Sequence, residues 1–211
     1  KDDYALFFKA GTHTITIYYK FFEDSFEITI LEKIDDSPKQ DVFTSSNPYY
    51  ASAVGLAQED LKESLRIIIS VVIKVETYDD LRQDLAKTDV DLNNSSNLML
   101  LYTGKSVSST WDGGSTWNRE HVWPKSLSGG IYNTLDDSDK NAGTDLHHIR
   151  PALTSINSSR GNKAYGTITN ELTFYPGDEF IGDTARILFY LSVRYDMSIT
   201  GLKVCNDISL L

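Results

Sequence analysis

Cysteine is nearly absent from this chain of 211 residues, with Cys205 its only example. That excludes an internal disulfide and a cysteine-built zinc cluster, and leaves a small apolar side chain suited to a core. No apolar run approaches the ~18 residues that a membrane-crossing helix needs, and no charged segment leads into an apolar one at the start. Methionine does not begin the chain, so KDDYALFF reads as the start either of a processed form or of a recombinant piece, and a removed export signal stays open. Basic charge is also short: 20 Lys+Arg stand against 30 Asp+Glu, for a net charge of −10. Such a balance argues against tight electrostatic capture of nucleic acid, whose phosphates normally dominate that affinity. The deficit is uneven, however, because residues 112–165 hold six basic and six acidic side chains and are neutral before any cation is added. Negative charge elsewhere keeps a protein dispersed outside the cell.

What is present falls into three stretches. In GTHTITIYYK, Ile15, Ile17 and Tyr19 alternate with Thr14, Thr16 and Tyr18, and SFEITILEKI alternates Phe26, Ile28 and Ile30 with Glu27 and Thr29. Period two on both sides of Glu23 and Asp24 predicts a β-hairpin that turns there, which makes residues 1–36 an appendage. It resembles the last two strands of a bacterial immunoglobulin-like surface domain. Residues 37–48 are polar with two prolines and read as a linker. From Tyr49 to Leu211 the texture changes. Leu61, Leu65, Ile68 and Ile69 give one helical stripe, and Thr77 with Asp80 three residues on forms a capping box opening a second helix that turns Leu81 and Leu85 inward. A buried strand is expected over Asn97–Thr103, another over Leu172–Tyr175, and a helix from Asp183 to about Tyr195 burying Ile187, Leu188 and Leu191.

Two segments carry the chemistry, WNREHVWPKS from Trp117 and TDLHHIRPALTSINSSRGN from Thr144. They bring three of the four histidines, a carboxylate, asparagines and arginines into 46 residues, a mix suited to holding a hard cation against a phosphodiester. Trp117–Trp123 reads as a strand stopped by Pro124. In a regular strand Glu120 and His121 point to opposite faces, so they serve one site only if the strand bends or ends there. A helix after Pro151 places Leu153, Ile156, Asn157 and Arg160 within one sector, so two polar groups share its buried side and need polar partners. Oxygen donors from Glu120 and Asn157 suit Mg²⁺, with Mn²⁺ or Ca²⁺ as substitutes, better than Zn²⁺. A histidine such as His121 can take a proton from water at neutral pH. Arg150 and Arg160 are candidates for the cation that steadies the cleaved phosphate. His147 and His148 are adjacent and seldom could face one ion, so structural hydrogen bonding is the expectation for His147. Asp145 caps a turn or orients a histidine, and Trp117 and Trp123 are expected to be buried rather than stacked on bases.

On these residues the chain resembles the endonuclease I family of secreted or periplasmic bacterial nucleases, which belongs with the HNH-like ββα-metal enzymes. YYASAVGLAQEDLKESLRIII and DTARILFYLSVRY lend further support, and the resemblance runs from about Tyr49 to Tyr195. It implies an α+β fold, a ββα-metal finger within a mostly helical domain. It further implies a magnesium-dependent, largely sequence-nonspecific endonuclease acting on DNA and RNA and leaving 5′-phosphate ends, secreted or held at the cell surface, monomeric, with no membrane partner. His121 then matches the general base, and Glu120 and Asn157 the metal ligands. The chain departs from the family in two places. Lys125–Thr144 contains no arginine, which leaves Arg150 or Arg160 for the phosphate, and the sequence stops at Leu211, short of the family's usual Asn-, Arg- and Pro-rich region. Two other readings stay open: a secreted binding or adhesion module whose nuclease-derived domain no longer cuts, and a zinc hydrolase built on His121, His147 and His148.

Overall fold

The computed structural model describes residues 42–71, 74–207 and 209, together with the backbone of 11–19 and 22–30. Contacts divide the chain into two compact units, Lys1–Phe43 and Thr44–Leu211.

In the first unit β1 (Gly11–Tyr19) and β2 (Phe22–Ile30) pair antiparallel, Gly11 opposite Ile30 and Tyr19 opposite Phe22. Glu23 and Asp24, expected to form the turn, lie inside β2 opposite Tyr18 and Ile17, because the backbone ladder runs on past them and strand preference is a weak, context-dependent bias.

The second unit mixes short sheets with helices of 12, 8, 7 and 14 residues, so it is α+β with long connecting loops rather than mostly helical. Helix α1 (Gln58–Ile69) packs on α4 (Ile181–Arg194) with Leu61, Leu65 and Ile68 half-buried. Helix α2 (Leu81–Thr88) starts at Leu81, four residues later than the box at Thr77 suggests. The Thr77 amide does donate to Asp80 Oδ2 at 3.1 Å and the Asp80 amide to Thr77 Oγ1 at 3.1 Å, but the box closes the turn before the helix. Leu81 and Leu85 are fully buried beneath it. Strands β3 (Val90–Asp91), β4 (Asn94–Met99) and β5 (Ser106–Ser108) form a small antiparallel sheet, and the chain leaves it at Leu100 rather than continuing to Thr103.

A ββα unit then follows. Strand β6 (Trp117–His121) pairs antiparallel with β7 (Ile149–Leu153), and α3 (Thr154–Arg160) begins directly after. β6 ends at His121, two residues before Trp123. Pro151, read from sequence as a first helical residue, instead sits in β7 opposite Arg119. Its carbonyl accepts from the Leu101 amide at 2.9 Å, on the side away from β6, so its nitrogen also points away and no ladder bond is lost. A parallel pair, β8 (Ala164–Tyr165) and β9 (Thr173–Phe174), precedes α4, which buries Ile187, Leu188 and Leu191 as expected.

Two apolar clusters flank the ββα unit. One gathers Leu81, Leu85, Leu98, Leu100, Trp117 and Ile149; the other holds Val122, Trp123, Leu188, Leu191, Val204 and Cys205 among its members. Trp117 and Trp123 are both fully buried, their indole nitrogens donating to the Ser108 carbonyl at 3.2 Å and the Leu127 carbonyl at 2.8 Å. Each buried Leu or Ile here contributes ~1.5–3 kcal/mol, which anchors β6 at both ends. No helix among the described residues is long and apolar enough to cross a membrane.

Candidate active site

The pleat of β6 sorts its side chains. Asn118 and Glu120 face α3: Asn157 Nδ2 donates to Asn118 Oδ1 at 2.5 Å, and the Arg160 Nε lies 3.6 Å from Glu120 Oε1. Arg119 and His121 face the other way, both against Tyr78. The strand is stopped chemically at this point. Arg160 is 1 % exposed, and its guanidinium donates to the carbonyls of His121 at 3.2 Å and Val122 at 2.6 Å; the Tyr165 hydroxyl adds a bond to the Val122 carbonyl at 3.0 Å. With those carbonyls held by α3 and β8, the chain turns away from β7, and Glu120 and His121 occupy the last two positions of the strand.

Glu120 is almost wholly enclosed. Burial pushes its carboxyl up from the usual range, while Arg160 and the Tyr102 hydroxyl, which donates to Oε1 at 2.9 Å, pull it back. The Tyr102 and Tyr165 hydroxyl oxygens lie 2.5 Å apart, and with the Tyr102 proton on Glu120 the single Tyr165 proton is divided between the Tyr102 oxygen and the Val122 carbonyl. The other Glu120 oxygen, Oε2, has no hydrogen-bond partner among the described residues, nor has the amide oxygen of Asn157. Because the Asn118–Asn157 and Glu120–Arg160 contacts lie side by side along one seam between β6 and α3, these two free oxygens belong to the same seam.

His121 is 8 % exposed and sits among Tyr78, Tyr132 and His148, at ring separations of 5.8, 6.2 and 5.6 Å. Burial, then the neighbouring charges of His148, Lys125 and Arg119, hold its pKa well below the ordinary value, against a backbone hydrogen bond to Gly143. Its Nε2 has no partner among the described residues. The ring is thus held neutral, with a buried Nε2 able to accept a proton. Gly143 is required by the packing of its neighbours: a Cβ there would lie 2.8 Å from Leu135 Cδ1 and 2.9 Å from Tyr132 Cδ2.

His148 is structural. Its Nε2 accepts from the Trp123 amide at 3.0 Å and its Nδ1 donates to the Ala142 carbonyl at 2.8 Å, which fixes the tautomer; burial pushes its pKa down to about 4. His147 lies instead on the surface, stacked on Tyr190 and 3.3 Å from Asp145. The two adjacent rings therefore share no site: His147 makes the structural hydrogen bonds expected of it, to Asp145, and His148 makes its own in the core. Asp145 both caps a turn and anchors α4. Burial would raise its carboxyl, but bonds from His147, Tyr195 and Tyr190 more than reverse this and hold it well below the usual range. Arg150 projects to Asp89, with Nη2 2.5 Å from Oδ1.

Sequence reasoning missed the tyrosines. Tyr78, Tyr102, Tyr132 and Tyr165 come from four separate segments, and nothing local marks them. Arg119 was findable, since it shares the strand face of His121 two residues on.

The model of the Endonuclease I family matches residues 57–209. The chain belongs to the Endonuclease I family. An extracellular ribonuclease of Bacillus subtilis (strain 168) is 39 % identical over 167 residues, covering 73 % of this chain and 56 % of that protein. An extracellular ribonuclease of Bacillus amyloliquefaciens is 41 % identical over 161 residues, 70 % of this chain and 53 % of the relative. This Endonuclease I chain thus spans a little over half the length of these curated relatives. No solved structure matches it.

Proposed function

We propose that this chain is a metal-dependent nuclease that hydrolyses phosphodiester bonds of RNA and DNA with little regard to sequence, outside the cell that makes it. The observation that carries the reading is His121: a buried ring held neutral, whose Nε2 has no partner among the described residues, next in sequence to an enclosed carboxylate. The extracellular ribonuclease relatives supply the substrate class.

Glu120 and Asn157 fit a hard cation such as Mg²⁺, with Mn²⁺ or Ca²⁺ as substitutes. Each has an oxygen without a partner among the described residues on one seam, and the charge of Glu120 is incompletely offset where Arg160 approaches only to 3.6 Å without a hydrogen bond. When bound, the cation supplies Lewis-acid polarisation of a nonbridging oxygen and neutralises the departing 3′ oxygen.

His121 Nε2 takes a proton from water; the water oxygen bonds to phosphorus as the P–O3′ bond breaks, and the departing O3′ takes a proton from a second water, leaving a 5′-phosphate and a 3′-hydroxyl. Burial helps here because a ring held neutral stays ready to accept across the neutral range. Arg160 acts through the main chain: it pins the carbonyls of His121 and Val122 and supplies counter-charge to Glu120, so both of its terminal nitrogens already hold carbonyls before substrate arrives. Arg150 is neutralised by Asp89. Neither of these arginines therefore stands ready to grip phosphate.

The test is cleavage of supercoiled plasmid and of a labelled RNA by the purified chain in Mg²⁺ and in EDTA, beside His121→Ala. Mg²⁺-dependent cleavage lost in the variant supports the reading. Equal cleavage in EDTA, or none by the unaltered protein, overturns it.

A further inference from the structure

The chain has seven arginines, and all lie in the described residues. Six have a carboxylate within 4.0 Å: Arg66 has Glu63, Arg82 has Asp79 and Asp137, Arg150 has Asp89, Arg160 has Glu120, Arg186 has Asp183, and Arg194 has Asp145. Arg119 has none among the described residues. The nearby acids do not supply one, because Asp79 and Asp137 are already held by Arg82.

This unpaired guanidinium is held in place all the same. It stacks over the Tyr78 ring, 3.5 Å from the centroid, lies 5.6 Å from the Trp111 ring, and one nitrogen donates to the Tyr78 carbonyl. Its Nε and other terminal nitrogen have no hydrogen-bond partner among the described residues, and neither is sealed from solvent. A stacked, pre-oriented fork loses little side-chain freedom when it binds, which is what planar recognition of a phosphate requires. It is also in the right place. Arg119 projects from the face of β6 that carries His121, two residues away, and the single ring of Tyr78 touches both.

We propose that Arg119 binds a backbone phosphate of the nucleic-acid strand beside the one that is cleaved, on the His121 side of β6, with Tyr78 and Trp111 as the platform that fixes its guanidinium. This rests on the nuclease reading above and adds the group that orients the strand against His121. It also accounts for a nuclease of net charge −10: one prepositioned cation at the site replaces a broad basic surface.

The experiment is anisotropy of a fluorescein-labelled single-stranded oligonucleotide with the full chain in EDTA, where no turnover is needed, at a series of salt concentrations. Arg119→Gln is compared with wild type and with Arg119→Lys, and the same three proteins are assayed for Mg²⁺-dependent cleavage. The expected result is about tenfold weaker binding for Arg119→Gln and a log–log salt slope shallower by about 0.7, the share of one phosphate on a single strand. KM should rise more than kcat falls, and Arg119→Lys should keep the slope while recovering part of the affinity. A merely structural arginine would leave the slope unmoved. Wild-type slope and affinity in both variants, with wild-type cleavage intact, overturn the Arg119 proposal alone; a wild-type chain that neither binds nor cleaves overturns it together with the nuclease reading.

Discussion

Acid should unfold this protein earlier than its carboxylates would dictate, and His148 is the reason. Its ring is fully buried, accepts from the Trp123 amide through Nε2 and donates to the Ala142 carbonyl through Nδ1. Protonation removes the acceptor and leaves a charge in the core. The Trp123 carbonyl, 3.2 Å from Nε2, could take the new proton, yet burial still dominates and pushes the pKa from 6.5 down to about 4. Because the folded pKa is depressed, the unfolded chain binds the proton first. Stability from this group is therefore complete above about pH 6.5, falls as the pH drops through the window from 6.5 to 4, and levels off below. At ~1.36 kcal/mol per unit, the full loss is about 3 kcal/mol, with about 2 kcal/mol already gone at pH 5. His121 adds loss of the same sign; His147 and Glu120, whose pKa values are raised, partly oppose it. His148→Gln isolates the effect, since a Gln oxygen can still accept from the Trp123 amide but cannot titrate. Urea unfolding from pH 7.5 to 4.5 should show wild type losing about 2 kcal/mol more than the variant by pH 5. Parallel curves for the two proteins, or a His148 ring proton titrating near 6.5 by NMR, would refute the reasoning.

His121→Ala should lower the cleavage rate by about 10² to 10⁴, the usual worth of a general base, while urea unfolding shows the fold intact; a folded variant with near-normal cleavage would count against His121. Asn157→Ala should raise the Mg²⁺ concentration for half-maximal activity, and calorimetric titration with Mg²⁺ should show weaker binding; an unchanged requirement would remove Asn157 from the cation site. Arg160→Met should cost about 3–5 kcal/mol in urea unfolding, because it strands the Glu120 charge and frees the His121 and Val122 carbonyls, and a loss under 1 kcal/mol would show that the clamp is dispensable. Residues 44–211 expressed alone should melt within a few degrees of the full chain and cleave at a similar rate; an insoluble or inactive product would make the hairpin part of the catalytic fold.

Local pattern carried well from sequence to structure wherever one element answers to one period. The stripe of Ile187, Leu188 and Leu191 became the buried face of α4, and the apolar and polar mix after Leu153 became α3, with Arg160 sealed in and Asn157 at the seam. Boundaries failed where tertiary bonding overrode local preference. Pro151 looked like a helix start because its ring suits that position, but it suits a strand position just as well when its nitrogen faces away from the partner. β6 stopped short of Pro124 because Arg160 and Tyr165, from 38 to 43 residues on, hold its last carbonyls. Which of the adjacent rings of His147 and His148 enters the core was likewise beyond local pattern, because only the fold decides it. The phenols around Glu120 were invisible, since Tyr102 and Tyr165 meet across 63 residues and neither stretch carries a motif.

The clamp on β6 also orders events in time. Tyr165, which steadies Val122 and supports Tyr102 beneath Glu120, is itself tied by its amide to the Val204 carbonyl at 2.8 Å. A ribosome that has only just made the Trp117–Asn162 motifs has therefore produced the reactive residues without the frame that aligns them, and some forty more residues must be added before Val204 arrives. With its last tie placed so late in the chain, the site gains its full frame only once synthesis has passed Val204.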